Sequence, residues 1–241
     1  MDNIKFSFII PIYNVNKILV RKCLSSIYEQ TYNNIEIIII NDGSNQDIGE
    51  NYLIELNKKD NIKYITQKNM GVSVARNIGI MLSTGDYLIF VDPDDYVDRN
   101  LCSKIYNYLI NHTNKIDLLL FKYTKEKKIL SLESNSNNFL NINYNQMKLN
   151  ILNQYEPYEG YSLGAPWGKV FKRSFINKYK LNFEPNVNKS QDRLFMLYLL
   201  EKKPKIANVD YIGYFYNNNS NSISNKYNPN IKKSWIKLCM R

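Results

Sequence analysis

Asp92, Asp94 and Asp95 stand directly after the apolar run Tyr87 to Val91, inside the stretch GDYLIFVDPDDYVD that covers Gly85 to Asp98. Carboxylates crowded this closely repel one another unless a cation or hydrogen-bond donors offset their charge. A hard divalent ion, Mg²⁺ or Mn²⁺, takes one or two carboxylates and completes its shell with water and substrate phosphates, which is chemistry an Asp-x-Asp pair can support. The same residues also suit a solvated turn, with Asp94 or Asp95 capping a helix that starts near Asn100. Where the surrounding elements put these acids decides between the two.

Tyr87 to Val91 is rich in β-formers and bounded by Gly-Asp and Asp-Pro, so it reads as a buried strand with the acids at its carboxyl end. Lys5 to Ile12 reads as a first strand stopping at Pro11, with Tyr13 and Asn14 in the following loop. Val20, Cys23, Leu24, Ile27 and Tyr28 recur at helical spacing across Ile18 to Gln30. Ile35 to Ile40 is almost wholly β-branched, as in a strand covered on both faces, and leads into Asn41-Asp42-Gly43-Ser44. Ser44 to Asp47 has the Ser-x-x-acid pattern of a helix start. A third strand, Ile62 to Gln67, precedes Asn69-Met70-Gly71 and a helix from about Val72 to Leu82.

Strands alternating with single helices through residue 110 form the pattern of a parallel, doubly wound sheet. Its strand ends carry Asn14, Asp42, Asn69 and Asp92, so polar residues collect along one edge, where open α/β sheets bind ligands. That favours a ligand site over a solvated turn.

In the second half, Asp117 to Tyr123 reads as a strand, and Ser131 to Asn145 as a Ser- and Asn-rich stretch that Phe139, Leu140, Ile142 and Tyr144 tie partly into the packing. Glu156 to Pro166 reads as an ordered loop, Trp167 to Ile176 and Gln191 to Lys202 as helices, and Ile206 to Tyr216 as a late strand. Pro229 to Arg241 carries Ile231, Trp235 and Leu238 among four cationic residues, a basic terminal helix that suits packing or an anionic membrane surface.

The formal net charge of +10 favours anionic partners without choosing among nucleotide diphosphates, acidic membranes and nucleic acid. Nucleic acid has no motif to support it. Cys23, Cys102 and Cys239 are widely spaced with no C-x-x-C, so neither a disulfide framework nor a zinc site is indicated, and reduced cytosolic thiols are expected. The lone histidine, His112, excludes a His-based triad and is expected on the surface after the Leu101 to Ile110 helix. No apolar run reaches the length of a membrane span.

Four segments, in order, resemble the family 2 glycosyltransferases of GT-A fold. They are Phe8 to Asn14 (FIIPIYN), Ile39 to Ser44 (IINDGS), Asn69 to Gly79 (NMGVSVARNIG) and the Gly85 to Asp95 run. Four joint matches are specific where one alone would be weak. Less tightly, Pro166 to Lys172 is similar to a Trp-x-Lys segment of bacterial polysaccharide members, and Ser190 to Phe195 to their Glu-Asp motif, with Gln191 where Glu is usual.

The resemblance implies an α/β GT-A fold, Rossmann-like, with a mostly parallel sheet flanked by helices and a C-terminal extension on the acceptor side. It assigns residues 1–123 to the nucleotide sugar, 124–228 to the acceptor and catalytic base, and 229–241 to the basic helix. Pro11, Tyr13, Asn14, Asp42, Asn69, Gly71, Arg76 and Asp92 would line the donor, with Asp42 on the base and Tyr13 stacking near it. Asp94 would bind a divalent cation, Mn²⁺ or Mg²⁺, and Asp192 would be the general base. Trp167 and Gln191 would face the acceptor. The implied reaction is inverting transfer from a nucleotide-diphosphate sugar, UDP-sugar foremost, to a glycan or lipid-linked acceptor of a capsule, lipopolysaccharide or similar surface glycan. The setting is cytoplasmic, with peripheral contact at the inner membrane face through the basic C-terminus.

Two other functions compete. A protein that binds nucleotide sugar or glycan without turnover has Gln191 as its support. A haloacid-dehalogenase-like phosphatase would use Asp92 as nucleophile, but that motif normally ends the first strand and here three strand-helix units precede it.

Overall fold

The computed structural model describes residues 3–112, 116–130, 143–156, 158–185, 187 and 189–218. The expected terminal helix over 229–241, Cys239 and most of the Ser- and Asn-rich stretch lie outside the described residues.

The chain begins as a strand-helix alternation: β1 (Phe6–Ile12), α1 (Lys17–Tyr28), β2 (Ile35–Asn41), α2 (Glu50–Leu56), β3 (Ile62–Thr66), α3 (Val72–Leu82) and β4 (Tyr87–Phe90). It continues through β5 (Tyr96–Val97), α4 (Leu101–Asn111), β6 (Leu118–Thr124), α5 (Tyr144–Leu152), β7 (Lys169–Lys172), α6 (Arg173–Lys178), α7 (Gln191–Glu201) and β8 (Ile206–Phe215). The strands form one mixed sheet in the order β3-β2-β1-β4-β7-β6-β8-β5. The first four are parallel, in the register Ile9↔Ile38 and Ile9↔Phe90. β7 is antiparallel to both β4 and β6, whereas β8 is parallel to β6.

Side-chain alternation in β1 divides the core between the two faces of the sheet. Phe6, Phe8, Ile10 and Ile12 pack with Val20, Cys23, Leu24 and Ile27 of α1 and with Leu101 and Ile105 of α4. Ile9 packs on the opposite face with Ala75 and Ile80 of α3 and with Met147 and Phe195 of α5 and α7. On that face α3 lies very close to β1: a Cβ added at Gly79 would meet the Ile9 Cγ2 at 2.3 Å.

Four expectations are corrected. Pro11 lies inside β1 and does not end it, paired in register with Ile40. It costs no ladder bond, because it faces the side on which β4 has already ended at Phe90. The second helix starts at Glu50, not at Ser44, because Gly49 turns left-handed (φ 83°) before it while Asp47 is held by Lys17. Trp167 to Ile176 is not one helix. Gly168 turns at φ 70°, β7 then extends between β4 and β6, and only Arg173–Lys178 is helical. His112 is half-buried at the end of α4, its ring stacked on Tyr108 with centroids 4.1 Å apart.

At the amino end of β2, away from the polar edge, the buried Glu36 carboxylate accepts from Ser7 Oγ (2.6 Å), the Thr84 amide (2.5 Å) and the Gly85 amide (3.0 Å). Burial alone would raise its pKa, but the hydrogen bonds from Ser7 and Thr84 outweigh it and hold the group down at about 2. A carboxyl depressed in the folded state contributes stability that is complete above its unfolded pKa of about 4.3 and is lost as pH falls toward 2. Urea unfolding between these pH values should therefore reveal an acid loss on the order of 3 kcal/mol that is absent in Glu36→Gln. An equal loss in the variant would assign the acid sensitivity elsewhere.

Candidate active site

The carboxyl ends of β1, β2 and β4 and the loop after β3 meet at the expected polar edge. Asp42, at the end of β2, is 2% exposed, and its carboxylate is surrounded by donors from the loop after β3. Its Oδ1 accepts from Gln67 Nε2 (2.6 Å) and the Met70 amide (2.8 Å), and its Oδ2 from the Gly71 amide (2.9 Å). A carboxylate has about four acceptor positions, so three are filled from this loop and one is left for a ligand N–H. Asn14, left-handed at φ 51°, ties the loop after β1 to the same place: its amide donates to Ser44 Oγ (3.0 Å) and its Oδ1 accepts from the Asn45 amide (2.9 Å). Tyr13 beside it is 43% exposed, its ring available to a planar ligand.

Gly43 makes this convergence possible. It sits at φ 71°, and an added Cβ would lie 2.6 Å from the Asn69 backbone nitrogen. Gly43→Ala should therefore push the loop after β3 off Asp42 and weaken binding of any ligand that the Asp42 carboxylate accepts from about tenfold or more, measured by calorimetry, with the far-UV spectrum unchanged. Wild-type affinity in the variant would show that this loop does not shape the site at Asp42.

Arg76 joins the two halves of the sequence. Its Nη2 donates to Asp92 Oδ1 at 3.1 Å and its Nη1 to Asp192 Oδ1 at 2.5 Å. The guanidinium is almost wholly buried and lies over the Phe183 ring, 5.2 Å from its centroid. Phe183 stacks in turn on Phe195 of α7 at 4.0 Å, and its backbone exchanges two 2.8 Å hydrogen bonds with the side chain of Asn77. Consecutive residues of α3 thus hold the segment that leads into α7, at whose first turn Asp192 stands. Burial raises the Asp192 pKa, Arg76 pulls against it, and the Asp92 charge adds to the rise.

The acidic turn is built from β8 as well as β4. Tyr214 accepts from the Asp92 amide (3.2 Å) and donates to Asp95 Oδ2 (2.6 Å), while the Asn217 amide donates to Asp95 Oδ1 (2.8 Å). Asp95 is 2% exposed, and burial, with the charge of Asp92 next, raises its pKa to about 8. The helix-capping alternative fails: the N-cap of α4 is Asn100, whose amide donates to Asp98 Oδ1 at 2.9 Å. Asp95 is thus buried as an internal anchor, whereas Asp92 and Asp94 are half-buried. No group of three or more His, Cys, Asp or Glu side chains among the described residues is disposed to enclose a cation. Asp92 and Asp94, two positions apart on this turn, are hard oxygen donors of the kind a divalent cation takes, with Asp92 Oδ1 engaged by Arg76.

Beside the loop that holds Asp42, a cavity of about 530 Å³ is lined by Asn69, Met70, Gly71, Val72, Pro185 and Gln191, among others. It brings Asn69, Gly71 and Gln191 together at the start of α3. Trp167 lies apart from it in an aromatic cluster, stacked on Tyr214 at 5.1 Å and edge-on to Tyr123 at 4.8 Å. Sequence reasoning missed Tyr214 and Asn217, and it gave Lys169 only as the lysine of the Trp-x-Lys segment, with no role attached. The signal for the first two was a late strand ending in Tyr-Phe-Tyr-Asn, whose partners more than a hundred residues earlier no spacing could identify.

The family described as Glycosyl transferase family 2 matches residues 7–180. The glycosyltransferase GlyA of Streptococcus pneumoniae is 32% identical over 182 residues, which are 74% of this chain and 26% of the relative. The minor teichoic acid biosynthesis protein GgaB of Bacillus subtilis is 29% identical over 239 residues, 97% of this chain and 25% of the relative. The chain thus spans about a quarter of the length of these two relatives. Among solved structures, S. aureus TarS 1–349 in complex with UDP-GlcNAc superposes with a TM-score of 0.72 at 19% identity, covering 93% of this chain and 62% of that one. The fold is that of the GT-A enzymes.

Proposed function

The chain belongs to glycosyl transferase family 2, and from that premise we propose that it transfers a sugar from a nucleotide-diphosphate donor, a UDP-sugar, to a glycan or lipid-linked acceptor in surface-polymer synthesis. The observation that carries this reading is the Arg76 bridge, which sets the end of the donor-side strand at Asp92 against the carboxylate of Asp192. GgaB, named for minor teichoic acid biosynthesis, and TarS, solved with UDP-GlcNAc, support the polymer class and the uridine nucleotide.

In this reading Asp42 accepts an N–H of the base, Tyr13 covers the base, and Pro11, Asn14, Asn69 and Gly71 shape the walls of the donor site. Asp92 and Asp94 would hold a divalent cation, Mn²⁺ or Mg²⁺, which would supply charge neutralisation for a diphosphate leaving group. Asp192 accepts the proton of the acceptor hydroxyl. The acceptor oxygen bonds to C1 of the sugar as the bond from C1 to the diphosphate oxygen breaks, so C1 inverts and the nucleoside diphosphate leaves with its electron pair. Arg76 holds one oxygen of Asp192, which orients the other toward the acceptor. Trp167 and Gln191 stand on the acceptor side, with residues 124–228 supplying that half and residues 1–123 the donor half. Work at the inner face of the cytoplasmic membrane completes the reading; among the described residues no helix is long and apolar enough to cross a membrane.

Nucleotide release from a panel of UDP-, GDP- and dTDP-sugars with Mn²⁺ or Mg²⁺ tests this proposal, with Asp94→Asn alongside. Metal-dependent release from one donor, reduced about a hundredfold or more in the variant, is the expected result. Nucleotide-induced stabilisation without release from any donor would instead support the binding-protein reading.

A further inference from the structure

Among the described residues Lys169 has no carboxylate within hydrogen-bonding distance, yet it is 0% exposed at the start of β7. Its Nζ donates to three backbone carbonyls of one loop: Ser162, Ala165 at 2.6 Å, and Trp167 at 3.5 Å. An ammonium has three N–H donors and no acceptor, so the charged form matches these oxygens one for one and the neutral amine cannot. Such a group is costly to bury, and an apolar side chain would fill the space more cheaply if packing were its only role.

The loop it binds leads to the acidic turn. Trp167, whose carbonyl Lys169 holds, stacks on Tyr214 with ring planes 12° apart. Tyr214 contacts the Asp92 amide and Asp95. We propose that Lys169 is a positioning residue for the transfer reaction: by gathering the carbonyls of Ser162, Ala165 and Trp167 it presses the Trp167 ring onto Tyr214 and so fixes the turn that carries Asp92 and Asp94. The assignment rests on the transferase reading of that turn, although the contacts themselves do not.

The charged groups around the loop are Glu156, which accepts from the Leu163 amide at 2.6 Å, Arg193 beside Gly164, the Lys122–Asp210 pair under Gly160, and Asp192 on α7. Burial lowers the Lys169 pKa to about 7, against the opposing pull of Glu156 and Asp192. The three-carbonyl arrangement is therefore complete on the acid side of neutrality and incomplete above it.

Trp167 is its own reporter, because the chain has two tryptophans and Trp235→Phe removes the other. In that background, acrylamide quenching of Trp167 should rise about threefold or more between pH ~6 and ~9, and Lys169→Met should be quenched strongly at every pH. Quenching in Lys169→Met that equals the parent would overturn the proposal. Where that variant does not fold, Lys169→Arg decides, since a guanidinium does not titrate in this range while Asp95, bonded to Tyr214, still does: quenching in Lys169→Arg that rises with pH as the parent's does overturns it. Neither readout needs turnover, so failure here is separate from failure of the donor screen. With an active donor, Lys169→Met should lower kcat for donor hydrolysis about tenfold with KM for the donor within about twofold, and Lys169→Arg should restore part of it. A merely structural role would move neither the pH dependence nor kcat alone.

Discussion

Replacing Asp192 by Asn is expected to lower kcat about 10²- to 10⁴-fold, the usual contribution of a positioned general base, while donor affinity stays near wild type. Asn keeps an oxygen for Arg76 Nη1, so the segment between α3 and α7 should hold its place. The pH profile separates this role from a structural one. Burial raises the Asp192 pKa, Asp92 adds to the rise, and Arg76 opposes both. A base is active when deprotonated, so the wild-type rate should fall on the acid limb as pH drops through a midpoint above that of an ordinary aspartate, about 3.9. Steady-state kinetics on wild type and variant would reveal this limb in the first and not in the second. A variant as fast as wild type would remove Asp192 from the chemistry.

Arg76→Met should damage stability and activity together. It leaves Asp92 and Asp192 facing each other with no cation between them. Breaking a buried ion pair typically costs roughly 3 to 5 kcal/mol, and the lower end applies because both carboxylates are 28% exposed and water screens them. The mutual repulsion should also raise the Asp192 pKa further, so less of the base is available at neutral pH. We expect donor hydrolysis to fall about a thousandfold, with a clear drop in melting temperature. Arg76→Lys should recover stability better than activity, since one ammonium cannot reproduce a planar fork that spans two carboxylates. The double variant Arg76→Met with Asp192→Asn should be less than additive, because each change removes the same contact. Full additivity in urea melts and kinetics would mean that the two residues act independently.

Much of the first half was legible from local rules. The Ile35 to Ile40 run, isoleucine at every position but Glu36, is a strand covered on both faces because only a two-sided core accommodates so many β-branched side chains. Asn14, Asp42 and Asp92 reach one edge because parallel strands all end on the same side. Errors fell where a single glycine overrode a pattern. Left-handed Gly49 delayed the second helix, and Gly168 turned an apparent helix from Trp167 into a strand between β4 and β6.

By itself, then, the sequence determined the α/β class, the strand-end acids and the family, because each depends on residue type and short spacing. The Arg76 bridge to Asp192, the burial of Asp95 under Tyr214 and the three carbonyls around Lys169 were decided only by the tertiary structure. Arg76 and Asp192 are 116 residues apart, and Asp95 and Tyr214 are 119 apart. A charge reveals its partner in sequence only when helix or strand periodicity brings the two together. These groups meet because the returning strands β7 and β8 join the sheet beyond β4, and there burial makes each missing partner costly.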